Sequence, residues 1–383
     1  MPGPAVTRRR FLSAAAIGSG ALLLAACGGN SASATLSGSA SPKTTGDQPD
    51  VPAALAPLKD LPPGEREKRL LEEARKEGKP TLYVSGSVES WELWKQAYEK
   101  KYGLSFDFLR GGSDELLEKI LTEWRAKRLV PDLVDNSKMH ILIDEGVVVP
   151  YTSPVKQAYP KEFADRYQAS YDVNPIVIAY NTNLVKPEDA PKKWEDLLDA
   201  KWKGKKIALD LIPEITFIGL YRAWGEERGR DFMKKLVAQD LFPSRSHTTA
   251  TDQMAAGEFP IVAEAYGYRM VEMKKKGAPV GYTLPDPMPT TAGGIAMTST
   301  TRKPHASALL YDWMLSAEAG TLYGSFGRMP VAPGSELKYP DLQKPMLEAP
   351  TLKGLNTSDY RKWFPIVMKD IKEILQPAMG GGQ

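Results

Sequence analysis

The chain has 383 residues, one cysteine and a formal charge of +3, and Arg8, Arg9 and Arg10 supply that excess within a first stretch free of acidic residues. From residue 27 onward the chain is electrically neutral, which removes any global electrostatic case for nucleic acid as a partner. A lone cysteine excludes an intramolecular disulfide, and the length suits two domains of ordinary size.

Residues 1–26 read as a targeting segment. Thr7-Arg8-Arg9-Arg10-Phe11-Leu12 carries a twin-arginine pattern, and the apolar run Phe11 to Ala26 follows it. That run is shorter than the about 20 residues a bilayer span needs, so a cleaved signal peptide is expected over a membrane helix. Leu24-Ala25-Ala26-Cys27 has the form of a lipobox, which makes Cys27 a lipid acceptor and Arg8 and Arg9 an export address. Residues 27–60 are rich in Ser, Ala, Thr, Gly and Pro, with almost no large apolar residue before Leu55, and are expected to form a flexible tether. A charged amphipathic helix between Pro63 and Gly78 follows, with Leu70, Leu71 and Ala74 on its apolar face.

From Pro80 short apolar strands alternate with helical patterns. Thr81 to Val84 and Ser105 to Leu109 read as strands. Helices are expected over Val88 to Tyr102, with Trp91, Trp94 and Tyr98 on the core face, and over Ser113 to Arg128. Asp132-Leu133-Val134 and Val147 to Val149 add strands, and Pro175 to Tyr180 is a buried one. Beyond a loop bounded by Pro187 and Pro191 come a short helix at Trp194 to Leu198 and strands at Lys205 to Leu209, Pro260 to Tyr266 and Val280 to Leu284. Gly293 to Met297 and an amphipathic helix at Pro304 to Leu315 complete the readable body. Such alternation argues an α/β fold with mostly parallel sheets flanked by helices.

Several of these stretches resemble a known family. Tyr180-Asn181-Thr182, Pro-Lys-Lys-Trp-Glu-Asp-Leu-Leu at 191–198 and Lys-Trp-Lys-Gly-Lys-Lys-Ile at 201–207 are similar to the second-lobe segment of extracellular solute-binding proteins of ABC importers, nearest to the ferric-ion-binding group. Ala255-Ala256-Gly257-Glu258, Ser316-x-Glu318-x-Gly320 and Gly327-Arg328-Met329-Pro330-Val331 continue the likeness in matching order. The resemblance implies a two-lobed, type II periplasmic-binding fold with two hinge strands, closing like a flytrap. The expected boundaries are 61–178 for the first part of lobe 1, 179–284 for lobe 2 and 285–383 for the remainder of lobe 1, with Ile176 to Tyr180 and Val280 to Leu284 as hinges.

In open parallel sheets ligands sit beyond the carboxyl ends of strands, where helix starts aim unsatisfied N–H groups. Ser85, Gly86 and Ser87 open one helix, and Arg110, Gly112 and Ser113 open the next. Thr216 and Thr248 stand at helix starts in the middle of the chain, and Tyr180 ends the crossing strand. Small residues let backbone approach a solute and the helix dipole favours an anionic group. Each stretch alone is an ordinary helix cap; their convergence on one cleft is what makes a site. The ferric group typically carries two adjacent tyrosines where this chain has Tyr266-Gly267-Tyr268. On an extended segment residues two apart face one side, so Tyr266 and Tyr268, completed by Glu264 or His247, form the oxygen-rich set a trivalent cation would need.

The resemblance thus implies capture of a small solute, ferric iron or a small anionic or organic molecule, and its delivery to ABC permease subunits. The protein would be monomeric, lipid-anchored at Cys27, extracytoplasmic, and without a resident cofactor. A hydrolase is the enzymatic alternative. The chain has three histidines, His140, His247 and His305, and neither Gly-x-Ser-x-Gly nor His-Glu-x-x-His, so no catalytic constellation is legible. A sensor or adhesion lipoprotein on the same fold is the third class.

Overall fold

The computed structural model describes residues 50–291 and 294–380. The expected signal peptide with Arg8 and Arg9, and the expected lipid acceptor Cys27, lie outside them.

The first lobe opens with the helix Pro63–Glu77 and β1 (Thr81–Val84). The helix Val88–Tyr102 leads to β2 (Asp107–Arg110), and the helix Ser113–Arg125 to β3 (Leu133–Asn136). β4 (Val148–Val149) and β5 (Gln168–Ala169) are two-residue strands. β1 lies between β2 and β3, parallel to both. Trp91, Trp94 and Tyr98 are fully buried, Trp91 packing on Trp94 and Tyr171, Trp94 on Trp313 and Tyr323 and Tyr98 on Trp313, so the aromatic stripe is core, as expected.

The chain then enters the second lobe as β6 (Asn174–Asn181). There follow β7 (Ile207–Asp210), β8 (Phe242–Ser244), β9 (Ile261–Tyr266), β10 (Val280–Thr283) and β11 (Met288–Thr291). β12 (Gly294–Thr298) returns to the first sheet, antiparallel to β3, giving the order β2-β1-β3-β12-β4 with β5 also on β12. The helices Pro304–Met314 and Ala317–Gly324 pack in the first lobe. Finally β13 (Leu352–Leu355) joins the second sheet, whose order is β13-β11-β6-β9-β7-β8 with β10 on β6.

Three expectations need correction. Residues 285–383 do not all return to lobe 1. β11 and β13 pair with each other in the second sheet, and Tyr360, Trp363 and Val367 of the helix Thr357–Asp370 join the second core. The apolar face of that helix announces burial, yet nothing local states which lobe receives it. Second, β10 is no hinge: Val280–Thr283 pairs antiparallel with Asn181–Ile178, and both strands belong wholly to the second sheet, which begins at Asn174. The segments that do cross pair with each other, Val173 N–H donating to Met329 C=O (2.9 Å) and Val331 N–H to Tyr171 C=O (3.2 Å). Third, the expected tether is ordered over its last part. The helix Val51–Leu55 and the 3-10 turn Ala56–Leu58 bury Val51, Leu55 and Leu58 in the first core, three spaced apolar residues being enough to dock a short helix.

Candidate functional site

A cavity of about 620 Å³ lies between the lobes. Its first-lobe wall is built by two strand-to-helix turns. After β1, Ser85 donates to Asp135 through its N–H (3.1 Å) and its hydroxyl (2.6 Å), and Tyr171 donates to the same oxygen (3.0 Å). Burial still raises the Asp135 carboxyl, although these donors pull it back. Gly86 holds a φ of +85°, the left-handed region glycine enters freely, and turns the chain into the helix that Ser87 caps at Ser90 N–H (3.3 Å). After β2, Arg110 braces this turn by donating from Nε to Gly86 C=O (3.0 Å), and Gly112 caps the next helix. Lys138 enters beside it, paired with Asp114.

The second-lobe wall carries Glu214 and Ile215 at the start of the helix Glu214–Trp224, with Tyr266 and Tyr268. Tyr266 ends β9 and Tyr268 stands in the first turn of the helix Gly267–Lys275, so the two face one side through a strand-to-helix turn and not through an extended segment. Their rings stack at 5.8 Å, 20° apart, and His247 stacks on Tyr266 at 4.5 Å. The Arg328 guanidinium completes the column 3.8 Å from the Tyr268 centroid. Burial would hold the His247 imidazole down. The carboxylates of Glu264, Asp210 and Glu214 overcome this and raise it to about 9, so it is charged at neutral pH.

Of the residues singled out in the sequence, Ser85, Gly86, Ser87, Arg110, Gly112, Ser113, Tyr266 and Tyr268 line this cavity. Tyr180, Thr216 and Thr248 do not. Tyr180 lies six residues along β6 from the cavity-lining Asn174, roughly 20 Å at strand rise, and its ring is buried in the second core against Gly281. Thr216 is buried and donates to Glu264 (2.6 Å), because the helix begins two residues earlier. Thr248 is exposed. Glu264 is itself occupied behind the wall, by Thr216 and by Asp210 N–H (3.2 Å), so Glu214 is the second-lobe carboxylate that lines the cavity with the two tyrosines. His305 is half-buried and lies against Glu77 at 2.6 Å.

Sequence reasoning passed over Asp135, Tyr171, Asp172, Tyr323 and Arg328, which join the cavity from the interior of the first sheet, from the segments that cross between the lobes and from the helix Ala317–Gly324. Their residue types carry no local mark of a site. Only Gly327-Arg328-Met329 offered a trace, as part of a family-like segment.

The family model described as bacterial extracellular solute-binding protein matches residues 130–353. The chain belongs to this family. As a member of it, the protein is a solute-binding protein, and the cavity between its lobes is the candidate binding site. A probable ABC transporter periplasmic-binding protein, y4fP of Sinorhizobium fredii, is 24% identical over 262 residues, covering 64% of this chain and 73% of that relative. Among solved structures, iron-bound HitA from Pseudomonas aeruginosa superposes with a TM-score of 0.68 at 18% identity, over 78% of this chain and 99% of that one. AfuA from Actinobacillus pleuropneumoniae, with exogenous fructose-6-phosphate bound, gives 0.63 at 20% identity, over 78% and 98%. These likenesses place the solute-binding protein in the two-lobed periplasmic-binding fold.

Proposed function

We propose that this protein is the capture component of an ABC-type importer, held to the outer face of the cell membrane by a lipid on Cys27 after export through the Arg8-Arg9 signal, and acting as a monomer. It closes its lobes on a small polar solute and presents the closed form to permease subunits. It performs no chemistry on the solute. The observation that carries the reading is the composition of the cavity. Two helix starts with Ser85, Ser87, Gly112 and Ser113, joined by Arg110 and Arg328, face a wall of Tyr266, Tyr268 and Glu214. Free N–H groups and guanidinium groups favour an anionic moiety on the solute.

Ferric iron is the second cargo reading, supported by the three oxygen-bearing side chains Tyr266, Tyr268 and Glu214 in one wall. Burial, reinforced by the charges of Glu214 and Glu264, pushes the Tyr266 phenol well above its ordinary range. Without a cation beside it the phenol therefore stays neutral, and the anion reading is preferred. A thermal-shift panel of ferric citrate, inorganic phosphate, sugar phosphates, polyamines and small carboxylates tests both. A true ligand at a hundredfold excess over its Kd adds about 2.7 kcal/mol, or about 4 °C for a chain of this size. A panel without any shift would refute the capture of solutes of these classes.

A further inference from the structure

The charges lining the cavity are unequally matched. Asp135 is taken up by Ser85 and Tyr171, Asp114 by Lys138, Glu115 by Gly112 N–H, and Asp172 by the Tyr323 hydroxyl. Glu214 differs from all of these. Its carboxylate meets only its own backbone N–H, and among the described residues no other residue donates to it. The cations nearby that could answer it are engaged elsewhere, Lys138 on Asp114 and His247 between Asp210 (3.4 Å) and Glu264 (3.6 Å). On the cationic side, Arg110 spends its Nε on Gly86 C=O and keeps its terminal nitrogens. Arg328 lies over the Tyr268 ring and makes no direct ion pair among the described residues, although its charge acts on Asp172. The groups with capacity left for a solute are therefore the guanidinium groups of Arg110 and Arg328 and the carboxylate of Glu214.

We propose that the solute is amphoteric: an anionic group held by Arg110, Arg328 and the N–H groups at the first-lobe helix starts, joined to an ammonium group held by Glu214. This rests on the capture reading above and narrows its solute class. A half-buried carboxylate with no partner is costly, and the ammonium of a bound solute removes that cost. A purely anionic solute would meet Glu214 as a like charge and would be disfavoured. A solute with both poles satisfies each wall of the cavity in the same act, and closure of the lobes then requires both.

The test is calorimetric titration of purified full-length protein with matched pairs: butyrate against 4-aminobutyrate, and ethyl phosphate against 2-aminoethyl phosphate. In at least one pair the amino member should bind tenfold or more tightly than its partner. Glu214→Gln should bring that ratio to within about twofold, weakening the amino member and strengthening the anion-only member, because the amide keeps size but loses charge. Arg328→Met should weaken both members alike. Equal binding within both pairs, a ratio that survives Glu214→Gln, or no binding of any amino member overturns the proposal. If the anion-only members bind and respond to Arg328→Met, capture in the cavity stands while the amphoteric assignment falls. If neither variant alters a measured affinity, the solute binds elsewhere and both readings fall.

Discussion

Replacing Tyr266 and Tyr268 by Phe separates packing from ligand contact. Both rings stay in the column between His247 and Arg328, so the stacking geometry survives the change. Neither hydroxyl has a hydrogen-bond partner among the described residues, and both side chains line the cavity. Their removal therefore leaves no orphaned group, and stability without ligand should move by less than about 0.5 kcal/mol. Affinity should respond more. A neutral hydrogen bond to the solute is worth roughly 0.5–1.5 kcal/mol, or about 2- to 13-fold in Kd, and up to about 3 kcal/mol if it is charge-assisted. Tyr266→Ala is the contrast, because it removes a half-buried ring stacked on both sides and should lower stability by about 2 kcal/mol. The assay is a thermal melt of each variant, then titration with whichever panel member raises the parent's Tm most. If that member is ferric citrate, the loaded parent should absorb in the visible through phenolate-to-iron charge transfer and the double Phe variant should not. Unchanged affinity in the double variant would remove both hydroxyls from the site. A loss above about 1 kcal/mol without ligand would instead make them structural.

Burial holds the His140 imidazole, stacked on Tyr360 at 5.4 Å, down at about 4. The unfolded chain therefore takes up a proton between about pH 6.5 and 4 that the folded chain refuses, and stability falls through that window by up to about 3 kcal/mol. Asp172 and Glu214 act in the opposite sense, their carboxyls being pushed up to about 6 and about 7, so the difference between the parent and His140→Leu in urea titrations at several pH values isolates the histidine. An identical pH slope in the variant would contradict the assignment. Gly219→Ala would place a methyl 2.3 Å from Pro289 Cγ where the helix Glu214–Trp224 crosses β11, and should cost about 1–3 kcal/mol; a Tm unchanged within a degree would show that the contact yields freely. Cys27→Ala should yield a protein without lipid that is released or mis-processed, and membrane retention after confirmed signal cleavage would contradict the anchor. Solution scattering should show a smaller radius of gyration at ligand saturation, and an unchanged value would argue against lobe closure.

The parts of the site that were legible in the sequence are those in which chemistry and local structure coincide. Ser85-Gly86-Ser87 follows an apolar run and opens a helix, so both its conformation and its exposure to a cleft follow from neighbours along the chain. Arg110 and Gly112 share that property. Tyr180 failed because β6 is long: its start, not its end, reaches the cavity, and alternation along a strand does not reveal which end faces a ligand. Glu264 failed for a different reason. Its carboxylate is consumed by Thr216 and by Asp210 N–H, contacts across the sheet that no local pattern encodes. The destination of residues 340–379 was hidden in the same way, since the buried faces of Met346, Tyr360 and Val367 fit any apolar surface and only the completed second sheet offers the right one.

The hinge and the cavity are built from the same residues. Tyr171 and Asp172 enter the crossing toward β6, and Arg328 precedes Met329, whose carbonyl receives Val173 N–H. The two segments also bridge at Asp172 and Pro330. A charge delivered to Arg328 therefore acts on backbone that joins the lobes, not on a side chain far out on either one. Burial raises the Asp172 carboxyl to about 6 against the pull of Arg328, so the hinge holds a cation and an acid whose balance a solute can tip. The second lobe answers through the same column, because Arg328 rests on Tyr268, Tyr268 on Tyr266, and Tyr266 on a charged His247. A ligand that binds the closed form better can shift the lobes only by its difference in affinity for the two states. A solute that touches both walls supplies that difference, since its contacts to the first-lobe helix starts and to Glu214, Tyr266 and Tyr268 are made together only when the lobes are close.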